Sequence, residues 1–348
     1  MSNLLKSSKS NVHIHYPLID YYRFLAALIV CISHFLLSST NYDIFEFSSI
    51  LGVELFFVLS GFVLTPQLLL IETNPIKNIK IFLIRRWIRT LPPYVLALVC
   101  AYIIFGNDNI FTFFRFLTYT QNIFGDDIIN NFYPVAWSLS VEEWFYIYIP
   151  ALIFCAYKLN VYKKINISNI CIITIVLETI VRFLFANEVS DWGQNVRRSV
   201  IFRIDAMCWG VLAYIWKDKI NLTLLCLSLL ICTFLLICLS INSEYLVKNN
   251  SVQNLFFPVC SVGFSSLLIL LAQIKNVSKK IQILGSIGAN ISYSMYLFHI
   301  FFIVLLQKTF ERVDLSFIVY FVCLTTFCMI FFISFERPIM KLRPKYVK

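Results

Sequence analysis

Apolar runs of roughly 20 residues recur along this chain from one end to the other, and that feature leaves few folds open. A run of that length, coiled as an α-helix, spans the hydrocarbon core of a bilayer, where every backbone N–H and C=O must be satisfied within the segment itself. Ten such blocks can be placed, at 18–38, 48–71, 81–105, 135–157, 168–187, 199–216, 221–241, 252–273, 284–307 and 315–335. Composition agrees: of 348 residues, 59% are hydrophobic and 14% charged. No polar stretch reaches the roughly 50 residues that a small soluble domain needs. The sequence predicts an all-α integral membrane protein, a polytopic bundle of about ten transmembrane helices that fills residues 1–348 as a single membrane domain.

A net charge of +10 could suggest nucleic acid, but the charges are distributed as membrane topology demands. With the ten blocks in place, 20 of the 29 Lys and Arg fall on one side, among them Lys77, Lys80, Arg85, Arg86 and Arg89 and, in the tail, Arg337, Lys341, Arg343, Lys345 and Lys348. The other side holds Arg115, Arg197, Arg198, Lys248, Lys308 and Arg312, and Arg23, Arg182 and Arg203 lie within or at the edge of blocks. By the positive-inside rule both termini, the leader 1–17 and the tail 336–348, are expected in the cytoplasm. The bilayer is thus the expected partner, and no nucleic acid is. The leader has no cleavage pattern, so the first block is expected to remain as an uncleaved anchor. All 11 cysteines sit in apolar blocks without a CxxC pair, which predicts neither a disulfide framework nor a metal site.

Ionisable residues inside such blocks are costly, and they mark where function is to be sought. The first block carries Asp20, Arg23 and His34. Arg23 and His34 are 11 positions apart, close to three helical turns, so they share one face about 16 Å apart along the axis. Arg86 and Arg89 share a face of the third block, with Arg85 beside them and Pro92-Pro93 following. Planar, permanently charged guanidiniums suit phosphate, although a positive-inside anchor has the same composition. Proline there is expected to kink the helix and loosen its packing. In the fourth block Ser138 and Glu142 share a face, and of the adjacent Glu142 and Glu143 only one can point squarely at a given site. Glu142 is expected at the level of His34, as a carboxylate that orients the imidazole. Glu54 in the second block is expected near a solvated mouth, while Gly52 and Gly61 there read as close-packing positions. Arg203 and Asp205 read as groups that neutralise one another or a neighbour, or as site-lining groups. Ser292, Tyr296 and His299, with Tyr293 beside them, form a stripe in the ninth block, where His299 is the second choice after His34.

Taken together, IDYYRFLAALIVCISH at 19–34, GVELFFVLSGF at 52–62, RRWIRTLPPY at 85–94, WSLSVEEWFY at 137–146, FRIDAMCWG at 202–210, ISYSMYLFH at 291–299 and FERP at 335–338 resemble the acyltransferase-3 family of membrane O-acyltransferases. No one motif is decisive, but all seven occur in the family's order across nearly the whole chain. The resemblance implies transfer of an acyl group, mainly acetyl and sometimes succinyl or longer, from acyl-CoA to a hydroxyl. The acceptors it implies are sugars of lipopolysaccharide, exopolysaccharide or peptidoglycan, or secreted small molecules. It assigns the family's first-helix Arg and His to Arg23 and His34, its RxxR to Arg86 and Arg89, and its helix glutamate to Glu142 or Glu143. Some members add an esterase-like domain, and none is expected within 1–348, which leaves room for a separate periplasmic or extracellular partner protein.

The expectation is therefore a multi-pass acyltransferase of the bacterial inner membrane. Arg23, Arg85, Arg86 and Arg89 hold the cosubstrate acetyl-CoA (no cofactor is tightly bound), and His34 with Glu142 acts on a glycan or glycolipid hydroxyl as base or as acyl carrier. Asp20, Ser138, Glu143, Arg203, Asp205, Tyr293, Tyr296 and His299 are candidates to line the site. The rival readings are a proton-coupled transporter, which also needs intramembrane Arg, His and Glu but often shows two related halves, and acylation of a small molecule that is not a glycan.

Overall fold

A backbone that must satisfy its own polar groups in lipid has the helix as its simplest solution. In the computed structural model the described residues (16–40, 43–106, 109–124, 132–161, 165–185, 192–242, 249–307 and 313–346) contain helices and no strand. The helices are α1 (Pro17–Thr40), α2 (Asp43–Thr73), α3 (Pro75–Phe105), α4 (Ile110–Leu117), α5 (Ala136–Lys158), α6 (Ile167–Phe185), α7 (Asp205–Trp216), α8 (Leu222–Ile241), α9 (Asn250–Gln273), α10 (Lys279–Gln307) and α11 (Val313–Phe331). A π-helical turn, Phe332–Glu336, links α11 to the short α12 (Arg337–Met340). The leader residues 1–15 and Lys163, Lys164, Lys248, Lys308, Arg312 and Lys348 of the charge tally lie outside the described residues.

Nine helices among the described residues are long and apolar enough to cross a membrane. The sixth apolar block, 199–216, does not form a full-length span. It starts as a 3₁₀ turn, Val200–Phe202, and only Asp205–Trp216 is α-helical, 12 residues or about 18 Å. The sequence places it as a transmembrane block, but α7 is buried among α2, α6 and α9, so its apolar residues serve the bundle interior.

Two close approaches fix the packing. A Cβ on Gly61 would lie 1.9 Å from the Met207 carbonyl oxygen and one on Gly210 2.0 Å from that of Val58, so α2 and α7 touch backbone to backbone. A Cβ on Gly285 would lie 2.9 Å from the backbone nitrogen of Tyr21, which seats α10 equally closely on α1. Burial then sorts the helices: 72% of the apolar window of α2 is buried against 11% of that of α8, so α2 is the axis of the bundle and α8 its rim. α3 runs unbroken through Pro92 and Pro93. Trp137 is buried within the bundle.

Candidate functional site

Three cavities lie end to end along α2. The first, about 410 Å³, is lined by Arg23 of α1, Ser60 of α2, Arg86, Arg89 and Thr90 of α3, Glu142 and Tyr146 of α5 and Tyr293 of α10. The second, about 450 Å³, shares Arg23, Ser60, Glu142 and Tyr293 with the first and continues past Phe56, Phe57, Ser138 and Ser292 to Tyr296. The third, about 720 Å³, shares Val53 and Tyr296 with the second and reaches His34, Glu46, Trp137, Arg197 and Arg198. The three cavities, each sharing wall residues with the next, thus form a row with a guanidinium-rich end and a histidine-bearing end.

The predicted residues divide along this line. Arg86 and Arg89 point into the first cavity, as their shared helix face requires, and Arg23 faces them. Arg85 does not line it: its Nη1 donates to the Pro344 carbonyl at 2.5 Å and its guanidinium stacks on Tyr346. The tail instead brings Arg343 beside the cluster. Burial first, and then Arg89, Arg86 and Arg85, hold the pKa of Arg343 down to about 10.

The two glutamates of α5 part company as the 100° rotation between neighbours dictates. Glu142 enters the first two cavities, accepting from Ser60 Oγ at 3.0 Å and from the Tyr146 hydroxyl. Glu143 turns to α3 and accepts from Thr90 Oγ1 at 2.6 Å. The expected Glu142–His34 pairing is not made, because Glu142 sits with Arg23 while His34 belongs to the third cavity. The partner of His34 is His299: Nδ1 of His34 lies 2.9 Å from Nε2 of His299, with the rings edge to edge and their planes 3° apart.

This histidine pair has a defined proton order. Nδ1 of His299 lies 2.8 Å from the Tyr296 carbonyl oxygen and 3.3 Å from that of Met295, and carbonyls only accept, so that nitrogen carries the proton. In a neutral ring Nε2 of His299 is then the acceptor, and His34 must donate to it through Nδ1. The lone pair of His34 is left on Nε2. His34 is thus a base whose tautomer is fixed by α10 rather than by a carboxylate. Ser138 and Tyr296 bond to each other at the junction of the second and third cavities, and Tyr293 donates to the Thr90 carbonyl at 2.9 Å.

Asp20, half-buried near the start of α1, lines none of the three cavities. Arg203 and Asp205 line none either, nor do they pair with each other. Nη2 of Arg203 donates to both oxygens of Glu54 at 2.6 Å, over the Phe257 ring, while Asp205 pairs with Arg182. Glu54, expected near solvent, is 1% exposed because Arg203 draws it into the bundle. Among the described residues no cluster suited to a metal ion occurs.

Sequence reasoning missed Ser60, Tyr146, Arg197, Arg198 and Arg343. A signal existed only for Arg197-Arg198, a double arginine on the side of the chain that is otherwise poor in positive charge.

A family model for an acyltransferase domain matches residues 16–337, a range that contains all three cavities. A candidate acetyltransferase of the Acidianus two-tailed virus, ORF330, is 26% identical to the chain over 262 residues, covering 72% of each protein. No solved structure matches the chain.

Proposed function

Because the chain belongs to the acyltransferase-3 family and is a multi-pass membrane acyltransferase, we propose that it moves an acetyl group from acetyl-CoA to a sugar hydroxyl of a cell-surface or exported glycan. The observation that carries this reading is the row of adjoining cavities with guanidiniums suited to phosphate at one end and an oriented base at the other.

Coenzyme A is a polyanion with a long, thin pantetheine arm. Arg86 and Arg89 take its phosphates at the first cavity, where Arg23 adds a third positive charge. The second cavity, walled by Phe56, Phe57 and Leu139, accepts the arm. The acceptor hydroxyl comes to the third cavity. Its proton passes to Nε2 of His34 as its oxygen bonds to the thioester carbonyl carbon; the carbon–sulfur bond then breaks, and the thiolate takes the proton back from the imidazolium. His299 holds His34 in the required tautomer throughout. We place the enzyme in the bacterial inner membrane, with the guanidinium end at the cytoplasm where acyl-CoA is made.

The test is reconstitution in liposomes with radiolabelled acetyl-CoA and a glycan fraction from the cell envelope. Label should move to glycan with wild-type protein and not with His34→Gln. Proton-driven uptake of a solute without any label transfer would favour a transporter and end this reading.

A further inference from the structure

The third cavity has a charge that transfer to a neutral hydroxyl does not call for. Arg197 and Arg198 both line it, on the same space as His34, and Glu46 is its one carboxylate among the described residues. The Arg197 side chain is 7% exposed, and its Nε has no hydrogen-bond partner among the described residues. Glu46, 3.6 Å from its Nη2, is too far for a strong charge-assisted bond and is itself 55% exposed to competing water. Burial first, then Arg198, lowers the pKa of Arg197 to about 10, which still leaves it charged at neutral pH.

The segment that carries the pair is held on both sides. Asn122 donates to the Arg198 carbonyl at 2.5 Å, Arg203 to the Arg197 carbonyl at 3.2 Å and Ser199 to the Ile123 carbonyl at 2.9 Å, while Val200 N–H bonds to the Asn122 carbonyl at 2.9 Å. The Trp137 indole lies against the Arg197 guanidinium, 5.9 Å away. A cation fixed by its backbone, desolvated, short of acceptors and open to a cavity is built to meet an anion.

Resting on the transfer reading above, we propose that the acceptor is an acidic glycan, and that Arg197 binds its carboxylate or phosphate and so sets its hydroxyl against His34. This is a specificity determinant at the acceptor end, separate from the arginines of the first cavity.

The experiment separates an envelope glycan extract by anion exchange and offers the retained and unretained fractions to the reconstituted enzyme with labelled acetyl-CoA. Label should enter the retained fraction. Arg197→Gln should raise the acceptor KM at least tenfold and leave the KM for acetyl-CoA unchanged, and Arg197→Lys should recover part of the loss. Glu46→Gln should lower the acceptor KM, an effect of opposite sign that a merely structural role for Arg197 does not predict. Amidating the carboxylates of the retained fraction beforehand abolishes labelling if a uronate is read and spares it if a phosphate is read. Equal labelling of the neutral fraction, or an Arg197→Gln protein with an unchanged acceptor KM, overturns the proposal. If wild-type enzyme labels neither fraction, the transfer reading itself fails and takes this one with it.

Discussion

Arg182 and Arg203 lie in the same bundle as Arg23, Arg86 and Arg89, yet the two groups are treated in opposite ways. The first group sits where α2, α6, α7 and α9 converge, each guanidinium with a buried carboxylate, Asp205 and Glu54 respectively. Arg182 also donates to the Phe202 carbonyl at 2.6 Å, and Glu178 accepts from the backbone N–H of Asp205 at 3.0 Å. The second group lines a cavity, and none of its three members has a carboxylate within ion-pairing distance among the described residues. A charge at bilayer depth costs on the order of 2.5–3.5 kcal/mol on insertion scales, so each must be offset by something. In the hub the offset is another side chain, and the result is structure. At the cavity it is left to solvent or to a ligand, as the proposed donor site requires. The comparison teaches that a buried carboxylate partner, rather than depth or residue type, separates the arginines of the hub from those that face the first cavity.

The hardest test of this contrast is Arg203→Met. It leaves Glu54 buried without its cation, which should remove about 3–5 kcal/mol of stability and show as loss of monodisperse protein on heating in detergent. Adding Glu54→Leu should restore most of that loss, since two apolar groups replace the pair. If the single variant is as stable as wild type, the hub is not structural. Next comes His34→Gln, which keeps size and a hydrogen-bonding amide but cannot cycle a proton. Transfer should fall about 10²-fold or more while the melting profile stays put. Near wild-type turnover would move the base to His299 and undo the proton order derived for the pair. Arg86→Ala and Arg89→Ala should each weaken acetyl-CoA binding about tenfold, the scale of one hydrogen bond to a charged group, without the folding loss seen for Arg203. An unstable Arg86→Ala protein would place that residue with the hub instead. Arg85→Ala should do least, less than about threefold on donor KM, because its guanidinium is engaged by Pro344 and Tyr346 outside the cavity. A loss matching that of Arg89→Ala would return Arg85 to the donor site.

Much of this was legible in one dimension because helices convert spacing into direction. Arg86 and Arg89 three apart, Ser138 and Glu142 four apart, and Arg23 and His34 eleven apart do face the same line of cavities, as 3.6 residues per turn requires. The length and apolar character of the blocks determined the fold class for a similar reason, since the bilayer's thickness and lack of hydrogen-bonding partners are fixed outside the protein.

What the sequence could not decide is which face meets which. His34 and His299 are 265 positions apart, Arg203 and Glu54 149, and Ser60 and Glu142 82, and no local periodicity carries information over such separations. Their meeting depends on how closely helices approach, which the close backbone contacts at Gly61, Gly210 and Gly285 hold. The same packing reassigned Glu54 from solvent to Arg203, drew block 199–216 into the interior and gave His34 a histidine where a carboxylate was expected. Sequence determined the helices and the faces they present; only the tertiary structure decided the partners, because a buried polar group is defined by what reaches it across the bundle.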